Sequence, residues 1–142
     1  MLTVFAVNLA VIATVVMIHY EFMYRFTVWM PRMQIRHRFR IVLGVFGALA
    51  AHSLEVWIFA LSFFWMHHQP VGWGSFQGNF EGTLLDCVYF SFTTYTTLGF
   101  GDVVPHGDLR YLVGLEALTG LLLITWTASF LYLEMTRYWD RD

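Results

Sequence analysis

Three long runs of apolar residues, at positions 2–22, 41–65 and 109–134, dominate the chain. Each meets the length of ~20 residues that a helix rising ~1.5 Å per residue needs to cross a hydrocarbon layer ~30 Å thick. Between the second and third runs the pattern changes. Gly72, Gly74, Gly78 and Gly82, interspersed with Trp73, Phe76 and Phe80, predict a stretch without regular structure. Thr83-Leu84-Leu85-Asp86 then has the spacing of a capping box and opens a shorter apolar run that ends at Tyr95. A helix of those ~12 residues would be ~18 Å long, too short to span and suited to entering the membrane and turning back.

Composition agrees: 58% hydrophobic and 13% charged residues exclude an ordinary soluble domain of this size. The net charge of −2 says less than its distribution, because all eight basic residues are arginines and Arg25, Arg32, Arg36, Arg38 and Arg40 sit between the first two runs. The chain is expected to be a multi-pass cell-membrane protein, of the prokaryotic inner-membrane kind on the ground of its small, self-contained build, and the positive-inside bias orients it. Its N-terminus is outside, the Arg-rich connection inside, residues 66–108 outside, and the C-terminus with Arg137 and Arg141 cytoplasmic. The organisation expected is a first transmembrane helix at 1–22, an interfacial cytoplasmic segment at 23–40, one unit at 41–135 and a short tail at 136–142. Met23, Tyr24, Phe26, Trp29, Met30, Met33, Ile35 and Phe39 between the arginines suit a segment on the membrane surface, interrupted at Pro31. These arginines lie outside any spanning run, unlike those of a voltage sensor. The first run lacks a positive n-region and a small-residue cleavage pattern, so it reads as a membrane helix and not a leader. Cys87 alone excludes an internal disulfide framework, and no zinc-finger spacing is present.

After the short helix comes Thr96-Thr97-Leu98-Gly99-Phe100-Gly101-Asp102. Non-helical backbone at membrane depth is tolerated only where it is buried in protein or lines a cavity. Stripping water from a potassium ion requires oxygen dipoles in its place, and rings of carbonyls at successive levels of an extended chain supply them. Gly99 and Gly101 give the conformational freedom such a chain needs at alternate positions, and the C-terminal end of the short helix favours a cation there. The run Thr97-Leu98-Gly99-Phe100-Gly101-Asp102 resembles the pore-loop signature of the potassium channel superfamily, over roughly the C-terminal two thirds of the chain. The resemblance implies an all-α membrane protein with three transmembrane helices plus a re-entrant pore helix and filter loop, assembling as a tetrameric channel, a homotetramer because one chain carries one loop. It implies K+ coordination by the Thr97 hydroxyl and by carbonyls of Thr97, Leu98, Gly99 and Phe100, with Gly101 in the filter and Thr93, Thr96 and Asp102 supporting it. Two departures leave the carbonyls in place: Leu98 stands for valine or isoleucine, and Phe100 for tyrosine, which removes a hydroxyl that ties the filter to its surroundings. Thr93 stands where some relatives carry a glutamate. A weakly selective monovalent cation channel is therefore the near alternative.

In the third run Gly114, Ala117, Leu121, Thr125, Ala128, Ser129 and Tyr132 form a stripe at helical spacing. Thr125, Ser129 and Tyr132 are the expected cavity lining, against close helix packing as the other use of small residues. The resemblance places Gly120 near a flexible inner-helix glycine. His52, Glu55 and Glu116 are intramembrane ionisable residues, which are costly and usually functional. They are candidates for gating or pH sensing, against a His52–Glu55 hydrogen bond, or bonds to pore-helix threonines, that holds the assembly together. Gly44, Gly47, Ala48 and Ala51 continue from Glu55 as a seam for another helix. Glu81, Asp86, Asp102 and Asp108 make the outer mouth acidic, and His67, His68 and His106 read as polar loop residues. No cofactor is expected beyond K+ as the permeant ion, and the partners expected are the lipid bilayer and further copies of the chain, with no nucleic acid. The few residues after the third run leave control by a cytoplasmic ligand to an unknown regulatory subunit. An enzyme is not expected. A haem-binding membrane redox protein, with His19 and His52 as ligands, and a non-conducting accessory subunit are the remote alternatives.

Overall fold

The computed structural model describes residues 2–32, 36–69 and 72–139. Helices α1 (Leu2–Trp29), α2 (His37–His67) and α4 (Leu109–Trp139) are the long elements, and each is long and apolar enough to cross a membrane. The first runs past residue 22 as continuous helix to Trp29, so Tyr24, Arg25 and Phe26 belong to α1. A 3-10 turn at Met30–Arg32 follows, as expected where Pro31 withdraws a backbone donor. The interfacial expectations for Met33 and Ile35, for Arg141, and for the side chains of Arg38, Arg137, Tyr138 and Trp139 lie outside the described residues.

Helix α3 (Leu84–Tyr95) is the short one. Its start obeys the capping box: the Asp86 N–H donates to the Thr83 hydroxyl at 3.1 Å, and the Thr83 N–H returns a bond to the Asp86 carboxylate at 3.0 Å. Partial burial of that carboxylate opposes its ionisation, but the bonds from Thr83, Glu81 and Gly82 outweigh it and hold Asp86 below its ordinary value.

The glycine-rich stretch from Gly72 to Gly82 is not wholly irregular. Strand β1 (Ser75–Gly78) and strand β2 (Val103–His106) pair antiparallel, Ser75 opposite His106 and Gly78 opposite Val103. This ribbon joins the chain before α3 to the chain after the loop. Each strand is four residues long, and one contains proline, so neither carries a period-2 apolar signal.

Helix α2 packs against α1, α3 and α4 and is the centre of the subunit. Its seam works as a close-contact face: a Cβ on Gly44 would lie 2.9 Å from Leu131 Cδ2, and one on Gly47 2.9 Å from the Phe22 ring. Outward of the seam, Phe59, Phe63 and Met66 join Cys87 and Phe90 of α3 and Leu109 and Leu112 of α4 in a buried cluster. Phe76 of β1 closes that cluster, with its ring centroid 4.7 Å from Phe90 and 5.7 Å edge-on from Phe63. The ribbon is thereby seated on the ends of α2 and α3, which fixes where the loop between them lies.

Candidate functional site

The loop after α3 is held by the helix that precedes it. The Thr97 N–H donates to Thr94 O at 2.9 Å and the Gly99 N–H to Thr93 O at 3.0 Å, so the last carbonyls of α3 anchor the chain as it leaves. The Thr96 hydroxyl donates to Phe92 O at 2.7 Å, and the Thr93 hydroxyl to Phe90 O at 2.8 Å. Thr93 therefore supports the loop through its carbonyl.

Within the loop the backbone alternates. Thr97, Gly99 and Gly101 have φ of 58°, 52° and 78°, and among the described residues Thr97 is the one non-glycine with positive φ. In an ordinary strand successive carbonyls point to opposite sides. Left-handed residues at every second position turn them toward one side instead, the arrangement of oxygen dipoles that a cation requires. A β-branched residue in that region is strained by ~1–3 kcal/mol and is found where the surroundings over-determine it. All six residues from Thr96 to Gly101 are exposed in the single chain, with Leu98 and Phe100 at 60% and 64%.

Above the loop, Tyr89 Oη donates to Asp102 Oδ2 at 2.8 Å, and the Tyr89 ring stacks on Phe100 with centroids 6.5 Å apart. Phe100 lacks a hydroxyl, yet the loop is tied to α3 from Asp102. Sequence reasoning missed Tyr89 because the donor lies 13 residues away on another element. Accepting by Asp102 holds the phenol above its ordinary value, with desolvation a second cause. A pKa raised on folding means that the bond is present below the unfolded phenol value of ~10 and is lost as pH rises through the folded one. Tyr89→Phe is expected to weaken retention of the loop geometry at neutral pH. The check is limited proteolysis of the loop, which should be faster in the variant and unaffected by pH between 6 and 9 in the wild type, as the phenol stays protonated below ~10.

Behind the loop lie the intramembrane ionisable groups. Glu116 is buried on α4, where Oε1 accepts from the Ser91 hydroxyl of α3; it faces the back of the short helix. Glu55 is also fully buried. Its carboxylate meets His19 Nδ1 of α1 at 2.8 Å, His52 Nδ1 at 3.0 Å and the Tyr95 hydroxyl. The pore-helix partner is thus Tyr95 and not a threonine, because Tyr95, the last residue of α3, points back toward α2 while Thr93 and Thr96 are engaged with their own helix. His19, raised in the sequence only as a haem ligand, is a full member of this cluster. The imidazoles of His19 and His52 stack at 5.5 Å and turn to one carboxylate, which is not the opposed pair that a haem iron takes. Polar residues at mid-depth of an apolar helix were the available signal for His19.

Thr125 and Ser129 lie on the exposed side of α4, their hydroxyls bonded back to Leu121 O and Thr125 O, and Tyr132 is 61% exposed. Gly120 does not occupy an open position: a Cβ there would fall on the Tyr95 carbonyl. Open space remains beside the loop, a cleft of about 320 Å³ bordered by Thr93, Thr97, Gly101, Val113 and Ala117.

Residues 51–137, which contain α3, the loop and most of α4, match a family model described as "Ion channel". The chain is 42% identical over 57 residues to the inward rectifier potassium channel Kirbac3.1 of Paramagnetospirillum magnetotacticum, covering 39% of this chain and 19% of that protein. It is 41% identical over 39 residues to the potassium channel protein kcv of Paramecium bursaria Chlorella virus 1, covering 22% of this chain and 42% of that protein. The matched regions thus span less than half the length of either relative. No solved structure matches.

Proposed function

Because the chain belongs to the ion channel family, within the potassium channel superfamily, we propose that four copies conduct potassium passively through a filter built from Thr97, Leu98, Gly99, Phe100 and Gly101. The observation that carries this reading is the alternation of left-handed residues at Thr97, Gly99 and Gly101. It supports one file of carbonyls per chain, and an ion surrounded by oxygen needs several such files about an axis. The exposure of Leu98 and Phe100 and the cleft beside the loop fit a neighbouring copy at those surfaces. Thr93, Thr96 and Asp102 act as filter supports, and Thr125, Ser129 and Tyr132 line the water-filled cavity below. The N-terminus is outside, the arginine-bearing turn and the C-terminus cytoplasmic, and the acidic residues of the outer mouth concentrate cations. His52, Glu55 and Glu116 hold the short helix from behind, and any proton sensitivity of opening is carried by these groups.

The protein reconstituted in liposomes is expected to dissipate a potassium gradient much faster than a sodium gradient. Equal rates for the two ions establish the weakly selective cation channel in its place. No flux of either ion sinks both.

A further inference from the structure

The buried cluster behind the loop contains more ligand chemistry than its packing requires. Side chains of His19 and Glu55 are 0% exposed and that of His52 is 17% exposed, and one ligand atom from each lies within 4.8 Å of the other two. Both imidazoles present Nδ1 to the Glu55 carboxylate, His19 at 2.8 Å and His52 at 3.0 Å. Both also present Nε2 to a single group, the Thr127 hydroxyl of α4, at 3.5 Å and 3.1 Å.

Counting protons leaves one satisfied neutral arrangement, a mixed pair of tautomers. In it His19 donates from Nδ1 to Glu55 and accepts from Thr127, while His52 donates from Nε2 to Thr127 and accepts at Nδ1 from Tyr95 Oη. The two uniform pairs fail. If both rings are neutral with hydrogen on Nδ1, each satisfies Glu55, but two Nε2 lone pairs then face a hydroxyl that owns one hydrogen. With hydrogen on Nε2, Thr127 Oγ can accept from both rings through its two lone pairs, but two Nδ1 lone pairs then face carboxylate oxygens. A positive centre among the Nδ1 atoms and Glu55 satisfies the same atoms with both rings equivalent: both coordinate it, and both Nε2–H groups donate to Thr127. That is the usual setting of a histidine ligand, whose outer N–H is held by an oxygen.

We infer that His19, His52 and Glu55 form a binding site for a divalent transition-metal ion of the zinc type, with the Tyr95 oxygen at the fourth position. Two imidazole nitrogens and a carboxylate suit zinc better than calcium or magnesium, which prefer oxygen shells. Tyr95 Oη lies 3.0 Å from His52 Nδ1 and is bonded to Glu55. Ligand atoms around zinc with bonds of ~2.1 Å are ~3.4 Å apart in a tetrahedron, so the His19 and His52 nitrogens need withdraw from the Glu55 carboxylate by about half an ångström, and the Tyr95 oxygen by more. A dication with one carboxylate leaves a net charge at membrane depth; loss of the Tyr95 proton to solvent on binding cancels it. The ion would tie α1 to the residue that immediately precedes the loop. Metal content is the readout, so the outcome does not depend on which ion the pore conducts.

The test uses the untagged, reconstituted full chain with His67, His68 and His106 changed to Gln, so that surface imidazoles do not contribute. After chelator treatment it is titrated with Zn2+ and, separately, with Co2+. One equivalent bound per chain, with the intense visible bands of tetrahedral cobalt, is expected, and His19→Gln should abolish both. Thr127→Val, which keeps every ligand, should weaken affinity by ~10–100-fold. Dissociation of the assembly by chelator that zinc reverses also supports the site. An intact assembly that binds neither ion stoichiometrically overturns it and leaves the mixed pair of tautomers. Metal content unchanged in a folded His19→Gln protein overturns it as well.

Discussion

Gly99→Ala is expected to abolish potassium flux in liposomes while leaving the assembly intact. The residue sits at φ 52° with nothing within 4 Å of where its Cβ would lie, so the substitution meets no collision within the subunit. The effect is conformational. An L-residue in the left-handed region pays ~1–2 kcal/mol, and in the proposed assembly of four copies the sum is ~4–8 kcal/mol. With ~1.4 kcal/mol per factor of ten, even the lower figure displaces the loop from its alternating geometry by ~1000-fold. Carbonyls would then rotate out of file, and dehydration of the ion would lose its compensation. Size-exclusion chromatography should show the same assembly, and Gly72→Ala, at a position with open space and no positive φ, should conduct as wild type. Undiminished potassium flux in Gly99→Ala removes the loop from the ion path.

Gly120→Ala is expected to lower both thermal stability and flux. The added Cβ would meet the Tyr95 carbonyl oxygen, with the carbonyl carbon at 2.9 Å and the ring Cγ at 3.0 Å. These are mostly backbone atoms at the end of α3, so no side-chain rotation relieves the clash, and α3 and α4 must separate. Overpacking of this kind costs ~1–3 kcal/mol per chain. The displacement falls on the residue that carries both the loop and the bond to Glu55. A glycine serving as a hinge behaves otherwise: its replacement alters opening but leaves the melting midpoint in place. A midpoint equal to wild type would therefore restore the hinge.

Much of the subunit could be read from the chain because its signals are local. Spanning helices need only a sustained apolar run, and the start of α3 needs only Thr83 and Asp86 three positions apart. Gly99 and Gly101 announced left-handed backbone, since glycine is the residue that tolerates it. Thr97 did not announce it, because a β-branched residue takes that conformation only under constraint from outside itself. The extent of α1 was underestimated, since Glu21 and Arg25 end the apolar run but pair with each other at 2.6 Å along the helix surface instead of breaking it. The strands and the His19–Glu55–Tyr95–Thr127 cluster were illegible for a different reason. Their members come from separate elements, and only the packing of α1 and α4 onto α2 brings them within reach.

The small ribbon has a metrical consequence. Gly78 opposite Val103 fixes how far the chain has advanced when it leaves α3 and the loop behind, and a Cβ on Gly78 would strike the Asp102 carbonyl, so glycine there permits this register. Sliding one strand past the other by a residue shifts the chain by ~3.4 Å. That is also the rise from one carbonyl to the next along an extended backbone, so a slip of a single residue would displace every oxygen level by one full step. Two four-residue strands beside the loop thus act as a vernier for the depth of the proposed ion sites.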